Sequence, residues 1–148
     1  MSIGQLAHER VTHAERVLGA RLPVTWDIGP YKHFRTARGF GVTFTQHNNP
    51  AWDTCHVRLS AKLLQAPRAR QDGIIQHELG HVIDLTFPPH LLDPWAARRG
   101  IRLPPQKHGE IRADAIAHAV WGKPLHYDSD TVQSTCCGVT SRPAHLGL

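Results

Sequence analysis

A single α+β domain is what this sequence predicts, on three observations. Apolar residues recur at intervals of three and four over residues 3–19, the repeat of a helix that buries one face. A β-rich stretch follows at 22–28, with further strands expected at 40–45 and 55–59. Two more helical segments, at 68–86 and 110–121, come after the strands rather than alternating with them, which is the α+β order. A chain of 148 residues has the length of one domain, enough to bury about two-thirds of its unfolded surface. The expected architecture is therefore an N-terminal helix, a short and mostly antiparallel sheet, and two further helices, with 1–148 forming one unit.

The elements follow from local chemistry. Over 1–20, Ile3, Leu6, Ala7, Val11, Ala14, Val17 and Leu18 make one apolar face, and Gly19 stops the helix, which is expected to pack across the sheet. The sheet region spans 22–60. Pro23 opens its first strand and Gly29-Pro30 closes it, while Asn48-Asn49-Pro50 marks a loop over 46–53. Ser60 can cap a short turn, Pro67 interrupts the chain, and a long helix runs over 68–86 until Pro88-Pro89. Gly80 within it costs about 1 kcal/mol of helix propensity, so another element is expected to approach closely there. Residues 87–108 hold five prolines and read as a connection with one turn of helix near Trp95. A third helix over 109–121 is alanine-rich and ended by Gly122 and Pro124; the tail at 132–148 is expected to be loosely ordered.

Composition narrows the function classes. The chain carries a net charge of +5 with dispersed arginines and no aromatic interleaving, so nucleic-acid contact is permitted but not indicated. Three cysteines, Cys55, Cys136 and Cys137, are an odd count with two neighbours, and no disulfide framework is implied. The first residues lack a basic flank and apolar run, and no membrane span is read anywhere, so the expected location is cytoplasmic.

The chemistry concentrates at Gln76-His77-Glu78-Leu79-Gly80-His81. On a helix, His77 and His81 stand one turn apart and point the same way, so both imidazoles can reach one metal ion. Glu78 is offset by about 100°, off the metal but beside a water held there, which is the place of a general base. Ile75, Leu79, Val82 and Ile83 form an apolar stripe on the other side, which predicts a helix buried on one face with ligands on the opposite one. This is the two-histidine, one-glutamate pattern of zinc metallohydrolases.

A catalytic zinc takes three protein ligands, so one more is needed. Asp84 shares the face of His77 and His81, but lies about 10.5 Å of helix rise beyond His77. A metzincin continuation would need glycine and histidine where Asp84 and Phe87 stand, and a Met-turn that a chain with only Met1 lacks. Glu110 opens the third helix, with Asp114 one turn later on the same face.

In its His-Glu-x-x-His followed downstream by Glu-x-x-x-Asp, the sequence resembles the gluzincin zinc metallopeptidases. It is most similar to minimal gluzincins and to small ImmA/IrrE-type metalloprotease domains; the Gly80 and Asp84 variant is also similar to the catalytic lobe of anthrax-toxin-type metalloproteases. The resemblance covers residues 55–124 and rests on five positions. It implies a small zincin-like fold, one Zn2+ per chain held by His77, His81 and Glu110, with Glu78 as catalytic base and Asp114 accepting the ring N–H of His77. Such enzymes add an oxyanion stabiliser; His118, His126 and Tyr127 are the candidates here.

The implied activity is zinc-dependent hydrolysis of peptide bonds, Glu78 activating water at the metal. An extended peptide or protein substrate is expected along the strand at 55–59 by β-augmentation. Two other readings stand beside it. One is a catalytically silent or partner-dependent regulatory module of antirepressor type, which the retained Glu78 argues against. The other is a protease acting on DNA-bound proteins, similar to SprT-type enzymes, which the positive charge favours.

Overall fold

The computed structural model describes residues 1–29, the backbone of 41–45, and residues 54–122. Helix α1 (Ile3–Leu18) begins at a capping box: the Ser2 hydroxyl accepts from the Gln5 N–H at 3.1 Å, and the Gln5 side chain accepts from the Ser2 N–H at 2.7 Å. Gly19 ends it in the left-handed conformation at φ 68°, which a side chain would strain. Its buried Leu6 and Ala7 join a core with Cys55, Val57 and Leu59 of the sheet and Ile74, Ile75, Leu79 and Val82 of the long helix. The N-terminal helix thus shares the sheet-side core, but it packs chiefly on the helices of 68–86 and 109–121 and not across the sheet as expected.

The sheet departs from expectation. Strands β1 (Val24–Gly29), β2 (Gly41–Thr45) and β3 (Cys55–Ser60) are ordered β1-β3-β2. The β1–β3 pair is parallel, Val24 facing Cys55 and Gly29 facing Ser60, while β2 runs antiparallel to β3. The sheet is mixed, not mostly antiparallel. Residues 30–54 between β1 and β3 exceed the dozen or so that a parallel crossover requires, so chain length permits the pairing that local propensity cannot foresee. In β3, Cys55, Val57 and Leu59 point to the core, and His56 and Arg58 point away. Cys55 is buried and in no disulfide among the described residues.

The central strand position of β3 also overturns its nomination as the substrate-pairing strand. Both its edges are taken by β1 and β2, leaving no row of backbone groups for a peptide.

Ser60 caps a 3₁₀ turn (Ala61–Gln65), and α2 (Arg68–Thr86) follows within the predicted bounds. One expectation about α2 fails. Instead of one buried face, residues 73–84 are buried all round. Ile75, Leu79 and Val82 meet the sheet-side core as the stripe predicts, but Ile83 packs in a second core with Leu22, Leu92, Ala96, Leu103 and Ile116. The polar side is covered by a helix instead of water.

That covering helix is α4 (Gly109–Trp121), closed by Gly122 at φ 79°. Between them α3 (Pro89–Arg98) is a full ten-residue helix where a single turn near Trp95 was expected. Pro88-Pro89 does end α2, but proline at the first position of a helix loses no hydrogen bond, so Pro89 also starts the next one. Among the described residues no helix is long and apolar enough to cross a membrane. The expected tail at 132–148 lies outside the described residues.

Candidate metal centre

Helices α2 and α4 touch backbone to backbone at Gly80. A Cβ at Gly80 would sit 2.3 Å from the carbonyl oxygen of Ala113, so this crossing needs glycine, and the close approach expected there is present. Around that point the two helices are arranged alike. His77 and His81 lie three residues before and one after Gly80, and Glu110 and Asp114 lie three before and one after Ala113. The helical repeat puts each pair on the side facing the other helix.

The cluster has a definite geometry. His77 Nδ1–H donates to Asp114 Oδ1 at 2.6 Å, which leaves Nε2 of a neutral ring as a lone pair. That Nε2 stands 3.2 Å from Glu110 Oε2, and His81 Nε2 stands 3.0 Å from Glu110 Oε1. The His81 contact is close but not aligned as a hydrogen bond, so its buried Nε2 has no hydrogen-bond partner. The rings meet edge to face with centroids 4.7 Å apart. Two imidazole nitrogens and a carboxylate thus converge, an arrangement that a shared proton or a bound cation would balance.

The residues fit a metal ion on two counts. A buried polar atom without a partner is costly, and the orphaned His81 Nε2 is one. Metal–ligand bonds of about 2.0–2.2 Å place neighbouring ligand atoms of a tetrahedral site roughly 3.3–3.5 Å apart, close to the spacing seen. The mixed nitrogen and oxygen donor set suits zinc better than calcium or magnesium, which prefer oxygen alone.

Glu78 belongs to the same cluster: one ligand atom from each of His77, Glu78 and His81 lies within 4.8 Å of the others, a group that could hold a metal ion. Glu110 is a further ligand candidate, with one carboxylate oxygen 3.2 Å from His77 Nε2 and the other 3.0 Å from His81 Nε2. Burial separates the groups further. His77, Glu78 and His81 are fully enclosed, whereas the side chains of Glu110 and Asp114 are each 26% exposed, so the cluster opens along α4.

Electrostatics keep the Glu110 carboxyl ionised. Burial pushes the Glu110 carboxyl up, but the nitrogens of His77 and then His81 outweigh it and hold the group well below the usual carboxylate range.

Asp84, the competing ligand candidate, is committed elsewhere: it accepts from Arg112 Nε at 2.9 Å. Arg112 was not singled out from the sequence, although a lone arginine within an alanine-rich helix was a signal of a buried ion pair. The structure does not bring His118 to the cluster. It lines a shallow recess with Arg99, Ile101 and Ala119, about 12 Å of helix rise beyond Glu110. His126 and Tyr127 lie outside the described residues. A recess of about 640 Å³ between α1 and β1, lined by Ile3, Val11, Trp26 and Leu59 among others, is larger but mostly apolar. Chemistry, not volume, marks the α2–α4 crossing as the candidate site.

In comparisons with known proteins, no protein-family model, no curated protein and no solved structure matches the chain. The gluzincin resemblance accordingly rests on the five motif positions and on their geometry.

Proposed function

We propose that the chain is a zinc-dependent metallopeptidase of gluzincin type with a zincin-like fold, in which His77, His81 and Glu110 hold one zinc and Glu78 is the base. The observation that carries this reading is that His77 Nε2 and His81 Nε2 each lie within 3.2 Å of the Glu110 carboxylate, with Glu78 buried in the same cluster.

Each residue has a distinct task. Asp114 holds the proton on Nδ1 of His77, fixing the tautomer and strengthening Nε2 as a donor. When bound, zinc supplies a Lewis acid that polarises a peptide carbonyl and makes water near it acidic. Glu78 takes the proton of that water and passes it to the leaving amine. The full burial of Glu78 keeps bulk water from competing for its carboxylate.

The extended substrate pairs with β2 instead of β3 in this reading. β2 is an edge strand of the described sheet and packs on the side of α2, so its outer backbone groups face a peptide laid along the cleft.

The test is metal analysis joined to a peptide-library digest of the parent and of Glu78→Gln. One zinc per chain is expected in both proteins. Cleavage should fall by roughly 10² to 10⁴ in the variant, the range general-base catalysis supplies. Equal cleavage by the two proteins would remove Glu78 from the mechanism. A parent that binds zinc yet cuts nothing across a broad library would favour the regulatory module.

A further inference from the structure

Arg112 is the largest fully buried side chain of the molecule among the described residues, at 1% exposure, and the chemistry proposed above makes no use of it. Its guanidinium joins three elements. Nε donates to Asp84 Oδ1 of α2 at 2.9 Å, Nη2 donates to Asp93 Oδ1 of α3 at 2.6 Å, and Nη1 donates to Asp93 Oδ2 at 3.2 Å and to the Pro104 carbonyl at 2.8 Å. Each partner needs the planar fork that arginine alone provides, and lysine cannot satisfy all of them at once.

The placement of this clamp bears on the metal centre. Arg112 is two residues from both Glu110 and Asp114, on the first turns of α4, and Asp84 is three residues beyond His81 on α2. The first turn of a helix is where backbone hydrogen bonds are fewest, and Gly109 with the uncapped His108 gives this one no side-chain cap. The turn that carries Glu110 has the Arg112 N–H to His108 carbonyl bond at 2.9 Å but no side-chain cap, and the Arg112 guanidinium ties it to α2 and α3.

Resting on the metal-centre reading, we infer that Arg112 is a positioning residue: its ion pairs to Asp84 and Asp93 hold α4 against α2 so that Glu110 meets the two histidines before any metal arrives. Preorganisation of this kind raises affinity by removing the cost of ordering a ligand on binding. A residue that served stability alone would lower the unfolding midpoint and leave the folded site as it was.

The experiment compares the parent with Arg112→Lys, with Asp93→Asn, and with the paired replacement Arg112→Met and Asp84→Leu. The last removes the two buried charges together and leaves only the half-exposed Asp93 to water, so no buried charge is stranded. Zinc affinity is read by competition with a chelator, the site geometry by the visible spectrum of the cobalt-substituted protein, and stability by urea. Arg112→Lys and the paired replacement are expected to weaken zinc by about 10- to 100-fold, as loss of an outer partner does, with an altered cobalt spectrum. Asp93→Asn, at the half-exposed end of the network, should shift both in the same direction by less. Variants that unfold more easily but keep the parent's zinc affinity and cobalt spectrum would overturn the inference while leaving the proposed function intact. A parent that takes up no zinc would overturn both.

Discussion

Two histidine–carboxylate clusters in this molecule have nearly the same contact distance and opposite character. On the outer face of the sheet, His56 Nε2 lies 3.2 Å from Asp27 Oδ2, the same separation as His77 Nε2 from Glu110 Oε2. Asp27, however, already accepts the fork of Arg58 at 2.9 Å through both oxygens, and His56 Nδ1 meets the Thr25 hydroxyl at 2.7 Å. Its charge is balanced by a neighbouring cation, and its side chain is 39% exposed. At the α2–α4 crossing no arginine reaches Glu110 among the interactions described, and a buried His81 nitrogen has no hydrogen-bond partner. Distance therefore does not identify a metal centre. The balance of donors and acceptors separates the two clusters, because an excess of buried acceptors needs a proton or a cation.

The largest effect on that contrast should come from Gly80→Ala, which alters neither cluster chemically. Alanine would return about 1 kcal/mol of helix propensity. The new Cβ would meet backbone at 2.3 Å, which no rotamer change can relieve, and overpacking of this kind costs about 3 kcal/mol or more. Sterics win: we expect a clear fall in the urea midpoint and loss of zinc as α4 is pushed away. A variant of parent stability with full zinc content would show that the helices do not cross as described.

Glu110→Ala against Asp27→Ala sharpens the comparison directly. Removing a proposed ligand should weaken zinc by more than the roughly 10- to 100-fold that loss of an outer partner causes, while the Asp27 change should leave zinc affinity unaltered. Chelator competition on both proteins decides it, and similar affinities in the two would erase the distinction between the clusters.

Asp27→Asn should give the smallest effect and a diagnostic pH dependence. The hydrogen bond from Arg58, aided by His56 and opposed by burial, lowers the Asp27 pKa. A lowered folded-state pKa stabilises the protein fully above the unfolded value of about 3.9, and that contribution is lost as pH falls through the folded value. Partial exposure limits it to less than about 1 kcal/mol. Urea midpoints of parent and variant should therefore differ slightly at pH 7 and converge in strong acid. A gap that widens on acidification would contradict the assigned direction.

What could be read from the sequence alone was what neighbours along the chain decide. The capped helix ending at Gly19, the 68–86 and 109–121 helices, and the pairing of His77 with His81 follow from apolar spacing, caps and the 3.6-residue turn, all set within a few residues. Gly80 was legible as a point of approach because an unfavourable residue inside a helix needs a reason. Tertiary structure alone decided the rest. Whether β1 pairs parallel with β3, which edge of the sheet stays open, and that Asp84 is taken by Arg112 depend on partners far away in sequence, and no local pattern encodes their direction or distance. The all-round burial of residues 73–84 in α2 has the same cause: the histidine face is polar in sequence, and only the arrival of Glu110 and Asp114 on α4 lets that polarity be enclosed.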